Sequence, residues 1–104
     1  QSNRISPTNS NDFEIVAGTL IIYRGNSRRV IIPEGVVEIA DAAFSNMTYL
    51  ESIQLPTTLL SIGQYAFSGC KSLVNISIPT KVTSIGSSAF SNCKSLQKII
   101  LLIA

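Results

Sequence analysis

Apolar residues in this chain return in short alternating bursts rather than at helical spacing. The stretch 73–78 is representative: Leu73 is followed by Ile76 and Ile78, with Asn75 and Ser77 between them on the opposite face. Alternation of period two is the pattern of a short, half-buried strand. The same burst occurs at Leu50, Ile53 and Leu55 and again at Leu96, Ile99 and Leu101. Proline follows where such a burst ends, at Pro33, Pro56 and Pro79, and these three stand 23 residues apart. That period holds well beyond the prolines. The columns Ile39/Ile62/Ile85, Ala43/Ala66/Ala89, Phe44/Phe67/Phe90, Ser45/Ser68/Ser91, Leu50/Leu73/Leu96 and Ile53/Ile76/Ile99 are identical in all three copies. Tandem copies without insertion predict a solenoid in which each coil buries its apolar face against the next.

Within one copy the pattern assigns structure piece by piece. A proline cannot extend a ladder, so the backbone turns at Pro79, and Val82 with Ile85 anchors a second extended piece on the opposite side of the coil. Gly86 permits the next bend, and Ala89, Phe90 and Cys93 are spaced for a short helix or helical turn over 87–94. Ahead of the copies, 13–15 and 20–23 flank Ala17-Gly18 as a hairpin, and Val30-Ile31-Ile32 supplies the first strand of the stack. The expected organisation is a flexible linker over 1–11, an N-terminal cap over 12–32, three 23-residue repeats over 33–101 and a truncated end at 102–104.

The run Pro-x-x-Val-x-x-Ile-Gly-x-x-Ala-Phe-x-x-Cys-x-x-Leu-x-x-Ile-x-Leu, complete at 79–101, resembles the BspA-like leucine-rich repeat of bacterial surface proteins and some parasitic protists. The resemblance covers all three copies. The first departs from it, with Ala40 in the glycine column and Met47 in the cysteine column, and Leu102 stands where a fourth proline would. It implies a leucine-rich-repeat solenoid, mainly β, with a parallel strand ladder, short helical turns on the other side and an N-terminal β-hairpin cap. It also implies a secreted or cell-surface location and a non-catalytic role in adhesion or recognition of an extracellular or cell-surface protein. The alternative is an accessory or spacer segment of a larger secreted enzyme.

Composition narrows the chemistry further. There is no His, and charged residues make up 13% of the 104. The commonest general base and metal ligand is therefore absent, and no enzyme, metal or cofactor is expected. The net charge of +2 comes without a Lys/Arg run, which argues against nucleic acid. The longest apolar run, 99–104, is far below the ~20 residues of a membrane span, so no membrane insertion is expected. That apolar ending and the missing initial Met point to a fragment of a longer polypeptide, and the terminal coil is a candidate for self-association.

The candidate binding positions are the outward residues of the predicted ladder. One row is Ile31, Gln54, Ser77 and Ile100; the next is Arg29, Ser52, Asn75 and Lys98. These vary from copy to copy while their inward neighbours scarcely change, and no aromatic residue is present for stacking a sugar. Pro33, Pro56, Pro79, Phe44, Phe67, Phe90, Cys70 and Cys93 are structural by the same reasoning. The Met47/Cys70/Cys93 column asks for a medium-sized apolar group, which favours buried free thiols, with a disulfide between neighbouring coils as the geometric alternative. All six carboxylates lie in 1–51, whereas Lys71, Lys81, Lys94 and Lys98 lie in 52–104, giving the array an acidic and a basic end. Asn46-Met47-Thr48 and Asn75-Ile76-Ser77 fit the N-glycosylation pattern.

Overall fold

The computed structural model describes residues 10–102, so residues 1–9 of the expected linker and 103–104 of the expected end lie outside the described part. Strands β1 (Phe13–Val16) and β2 (Thr19–Tyr23) form an antiparallel hairpin. Its two-residue turn, Ala17 and Gly18, has φ of 50° and 82°. Positive φ at both central residues matches the right-handed twist of the flanking strands.

Each following coil contributes two strands on opposite sides. β3 (Arg29–Ile31), β5 (Ser52–Gln54), β7 (Asn75–Ile78) and β9 (Lys98–Leu101) form the side that the alternating bursts predicted. β4 (Glu38–Ile39), β6 (Ser61–Ile62) and β8 (Ser84–Ile85) form the other. The second group joins the hairpin in one five-stranded sheet of order β1-β2-β4-β6-β8, parallel from β2 onward and advancing in steps of 23 residues from β4 to β8.

On the first side the expected continuous ladder is broken. β3 pairs with β5 and β7 pairs with β9, both parallel and in the predicted register, but β5 and β7 belong to separate sheets. The equivalent backbone bonds show where it opens. Glu51 N–H to Arg28 O and Gln97 N–H to Val74 O are both 2.7 Å, whereas Val74 N–H to Glu51 O is 3.4 Å.

The connection expected to be a helical turn over 87–94 is a chain of single turns, as are its equivalents; no α-helix is present among the described residues. Its bonds run from residue i+3 back to i, as in Ala89 N–H to Gly86 O and Ser91 N–H to Ser88 O. The left-handed residues explain why no helix forms: Ala42, Tyr65 and Ser88 occupy one column at φ of 61°, 58° and 57°, and Asn46, Gly69 and Asn92 another at 62°, 77° and 59°. Two such residues four apart reset the chain direction before a second helical turn can start. The freed amides then bond to the next coil instead, as in Phe44 N–H to Ala66 O and Phe67 N–H to Ala89 O, both 2.8 Å.

The core is a set of stacked columns enclosed between the two sides. Its axis is aromatic: Phe13, Tyr23, Phe44, Phe67 and Phe90 follow one another at centroid separations of 5.2 to 5.5 Å. The rings become more nearly parallel along the array, from 41° between the first pair to 2° between the last. Tyr23 fills the phenylalanine place in the hairpin, and its hydroxyl accepts the Ser27 N–H at 3.2 Å. Burial depends on the coil that follows. In one invariant column Ile39 and Ile62 are 0% and 1% exposed, whereas Ile85 in the last described coil is 44% exposed.

The glycine column shows how closely the coils approach. A Cβ at Gly63 would lie 2.6 Å from Asp41 N, and one at Gly86 would lie 2.5 Å from Gln64 N. Both are closer than any Cβ can sit. Ala40 is accommodated in the first copy because its neighbour is the hairpin rather than another such turn, and its N–H still reaches Leu20 O at 2.9 Å.

Candidate binding surface

The outward rows assemble as the alternation requires. Arg29 aligns with Ser52, Ile31 with Gln54, Asn75 with Lys98 and Ser77 with Ile100. All are exposed except Ser77, which is half-buried, while Val30, Ile53, Ile76 and Ile78 face the core. The side chains of the eight positions thus share one face of the molecule, in two groups separated by the break.

A groove of about 610 Å³ lies along β3 and β5 and reaches Ser77, Pro79 and Leu102 beyond them. Five of the eight outward residues line it: Arg29, Ile31, Ser52, Gln54 and Ser77. Val30, Ile53, Leu55, Thr57, Pro79 and Leu102 complete it. Asn75, Lys98 and Ile100 do not line it, although their strands flank it. Row-by-row reading of the sequence could not find Leu55, Thr57, Pro79 and Leu102, because they belong to the strand ends and come together only when the coils stack. The proline column was the available signal, since it marks where each strand ends.

Charge at the surface is held in local contacts. Glu14 pairs with Arg24 at 2.7 Å, and Glu38 accepts from the Thr19 hydroxyl at 3.4 Å. Asp41 accepts the Gln64 N–H at 2.8 Å. Glu34 accepts both the hydroxyl and the N–H of Thr57, at 2.6 and 3.0 Å, which holds its carboxyl below the usual carboxylate range. No two carboxylates are brought together in these contacts, and among the described residues no group of His, Cys, Asp or Glu could hold a metal ion.

The cysteines are free. The Cys70 thiol donates to Phe44 O at 3.2 Å and the Cys93 thiol to Phe67 O at 3.0 Å, each reaching one coil back to the invariant phenylalanine. The column therefore asks for more than the medium-sized apolar group expected from Met47: it supplies a donor to a carbonyl inside the stack. The residue at the same offset before Met47 is Ile21, which lies in the hairpin strand β2, so the first coil has a different neighbour at that place. Burial, and then the neighbouring Cys93, push the Cys70 thiol up to about 12, and burial also raises Cys93. Neither is poised as a nucleophile, because the reactive thiolate is disfavoured in both.

Residues 22–103 match the family model for the BspA type leucine-rich repeat region. The chain belongs to that family. A search of curated proteins returned no match. Among solved structures, this BspA-type chain is similar to a leucine rich cell surface protein from Faecalibacterium prausnitzii, with 44% identity and a TM-score of 0.68 over 70% of this chain and 19% of that one. It is also similar to a leucine-rich repeat protein from Bacteroides ovatus, with 29% identity and a TM-score of 0.55 over 79% of this chain and 28% of that one. The BspA-type array described here thus spans less than a third of either protein's length. No helix among the described residues is long and apolar enough to cross a membrane.

Proposed function

We propose that this leucine-rich-repeat chain is a non-catalytic recognition module of a secreted or cell-surface protein, and that it binds an extracellular or cell-surface protein through its β3/β5/β7/β9 face. The observation that carries this reading is the grooved outward face. Eight positions that differ from copy to copy stand on an otherwise regular scaffold, and five of them border one concave feature. Rigid strands displaying variable side chains give a repeat array a surface on which contacts form without reordering the backbone. The similarity to a protein described as a leucine rich cell surface protein supports the location. The absence of His from the sequence and the raised thiols support recognition without chemistry.

The test is binding to a panel of purified extracellular proteins immobilised on a sensor surface, using the chain and its Asn75→Arg/Ser77→Arg variant. A partner that binds the parent chain and is lost on the variant, with the circular dichroism spectrum unchanged, supports the strand face. Retained binding by the variant moves the interface elsewhere on the coil.

A further inference from the structure

The two ends of the array differ from its middle and from each other. Every coil but the last is closed by the one that follows. Phe44 N–H bonds to Ala66 O and Phe67 N–H to Ala89 O, while Ile39 O accepts from Gly63 and Ile62 O from Gly86. The equivalent groups of the last coil, Phe90 N–H and Ile85 O, have no coil beyond them among the described residues. The apolar columns open in the same place. Ile76 is 1% exposed and Ile99 46%, and Leu101, in the column of the buried Leu55 and Ile78, is 64% exposed. At the other end β1 is the outermost strand of the five-stranded sheet, with Ile15 and Val16 exposed. Among the described residues, the edges of that sheet are β1 and β8.

Two observations match one end to the other. The aromatic axis begins at Phe13 and ends at Phe90, both half-buried, whereas Tyr23, Phe44 and Phe67 between them are fully buried. Each terminal ring lacks on one side the stacking neighbour that every inner ring has on both. Charge also changes along the axis. Described residues up to 51 hold six carboxylates and three arginines, and from 52 to 102 there are four lysines and no carboxylate. Lys81, Lys94 and Lys98 belong to the last coil, while Asp12 and Glu14 stand at the hairpin end, where Arg24 holds Glu14. Two last coils brought face to face would set like charges together. A hairpin end set against a last coil brings the acidic half of one copy to the basic half of another.

We propose that the last coil is a docking surface for a second copy of this chain, which seats its hairpin end there, head to tail. In a copy of the same orientation, β1 runs antiparallel to β8, as it does to β2 within the chain, so it extends the five-stranded sheet at an edge open to pairing. Its Phe13 continues the aromatic axis from Phe90. The contact is heterologous: each added copy brings a new last coil, so growth is open-ended rather than closed at a dimer. Association along the array axis leaves the outward side chains of β3, β5, β7 and β9 uncovered, and the inference does not rest on the strand-face reading.

The test is sedimentation velocity of the whole chain between roughly 10 μM and 1 mM. The expected result is a series of species that lengthens with concentration, with affinity about tenfold or more lower when salt is raised from ~0.05 M to ~0.5 M. Val16→Lys blunts the hairpin edge at a side chain already 58% exposed, and Ile85→Lys/Leu101→Lys blunts the last coil. Each variant, with its circular dichroism spectrum unchanged, should be monomeric alone. Mixed in equal amounts they should form a one-to-one complex and stop there, because one intact last coil meets one intact hairpin end. The salt series and Val16→Lys probe the contact without touching the core. A parent chain that stays monomeric throughout, association strengthened by salt, or a mixture that stays monomeric overturns the proposal. Val16→Lys that still dimerises alone also overturns it, and places the contact between two last coils.

Discussion

The two sides of each coil are built from the same repeat, yet one closes and the other opens. The β4/β6/β8 side uses strands of only two residues and runs unbroken into the hairpin, with amides such as Gly63 to Ile39 O at 2.8 Å and Gly86 to Ile62 O at 2.7 Å. The β3/β5/β7/β9 side has the longer strands and parts in the middle. Strand length does not decide continuity here; close approach of the backbones does. On the closed side the glycine column removes the Cβ that would hold adjacent turns apart. The other side has no such column, and its outward positions are left to vary. The molecule is tightest where copies must be alike, and a groove forms where they differ.

Removing the aromatic axis between the two sides should have the largest effect. Phe67 is fully buried and stacked between Phe44 and Phe90. Phe67→Ala should cost about 3 to 5 kcal/mol by denaturant titration. Both sides should lose structure in one transition, because each coil contributes to both; two separate transitions would show that the sides are independent. Next, Gly86→Ala forces a methyl group against Gln64 N and Gly63 C and should cost about 1 to 3 kcal/mol. The converse change in the first coil, Ala40→Gly, should be far milder, since no equivalent turn stands behind it. If the two substitutions cost the same, the closed side does not owe its continuity to the glycine column.

Amide hydrogen exchange sharpens the comparison without a substitution. Gly63 and Gly86 should exchange about tenfold or more slowly than Ile53 and Ser77, because local opening is easiest where ladder bonds are missing. Equal protection would contradict the break. The smallest effect is expected from acid. Glu34 has its pKa lowered by the Thr57 hydroxyl and N–H. A carboxyl whose folded pKa lies below its unfolded value of 4.5 adds stability above that value, and this is lost as pH falls through the folded pKa. Glu34→Gln should therefore flatten the acid limb of the stability profile slightly and leave stability above pH 5 or so almost unchanged.

Much of the architecture was legible because it is carried by columns. Ile39, Ile62 and Ile85, or Phe44, Phe67 and Phe90, can be inward only if coils stack in register, and alternation at 75–78 fixes which side chains face out. The turn side was less legible. The spacing of Ala89, Phe90 and Cys93 fits a helical face as well as it fits stacked single turns, and what separates these is positive φ at Ser88 and Asn92. Serine and alanine in the first of these columns give no local sign of that conformation, and neighbouring coils hold it there by taking up the freed amides. Tyr23 was hidden for a related reason: it joins the aromatic axis from outside the 23-residue period. The role of the thiols was also hidden, since a donor directed at a carbonyl one coil away has no signature beyond burial.

By itself the sequence determined the period, the inward and outward residues and the register, because a two-residue alternation repeated every 23 positions leaves one arrangement that buries every apolar column. Only the tertiary structure decided which ladder would stay continuous. That outcome depends on whether two backbones can approach to hydrogen-bonding distance, and the approach is set by the packing of whole coils rather than by any residue of the strands. The groove is a consequence of that packing, which is why inward and outward residues could be read from the sequence and their assembly into a groove could not.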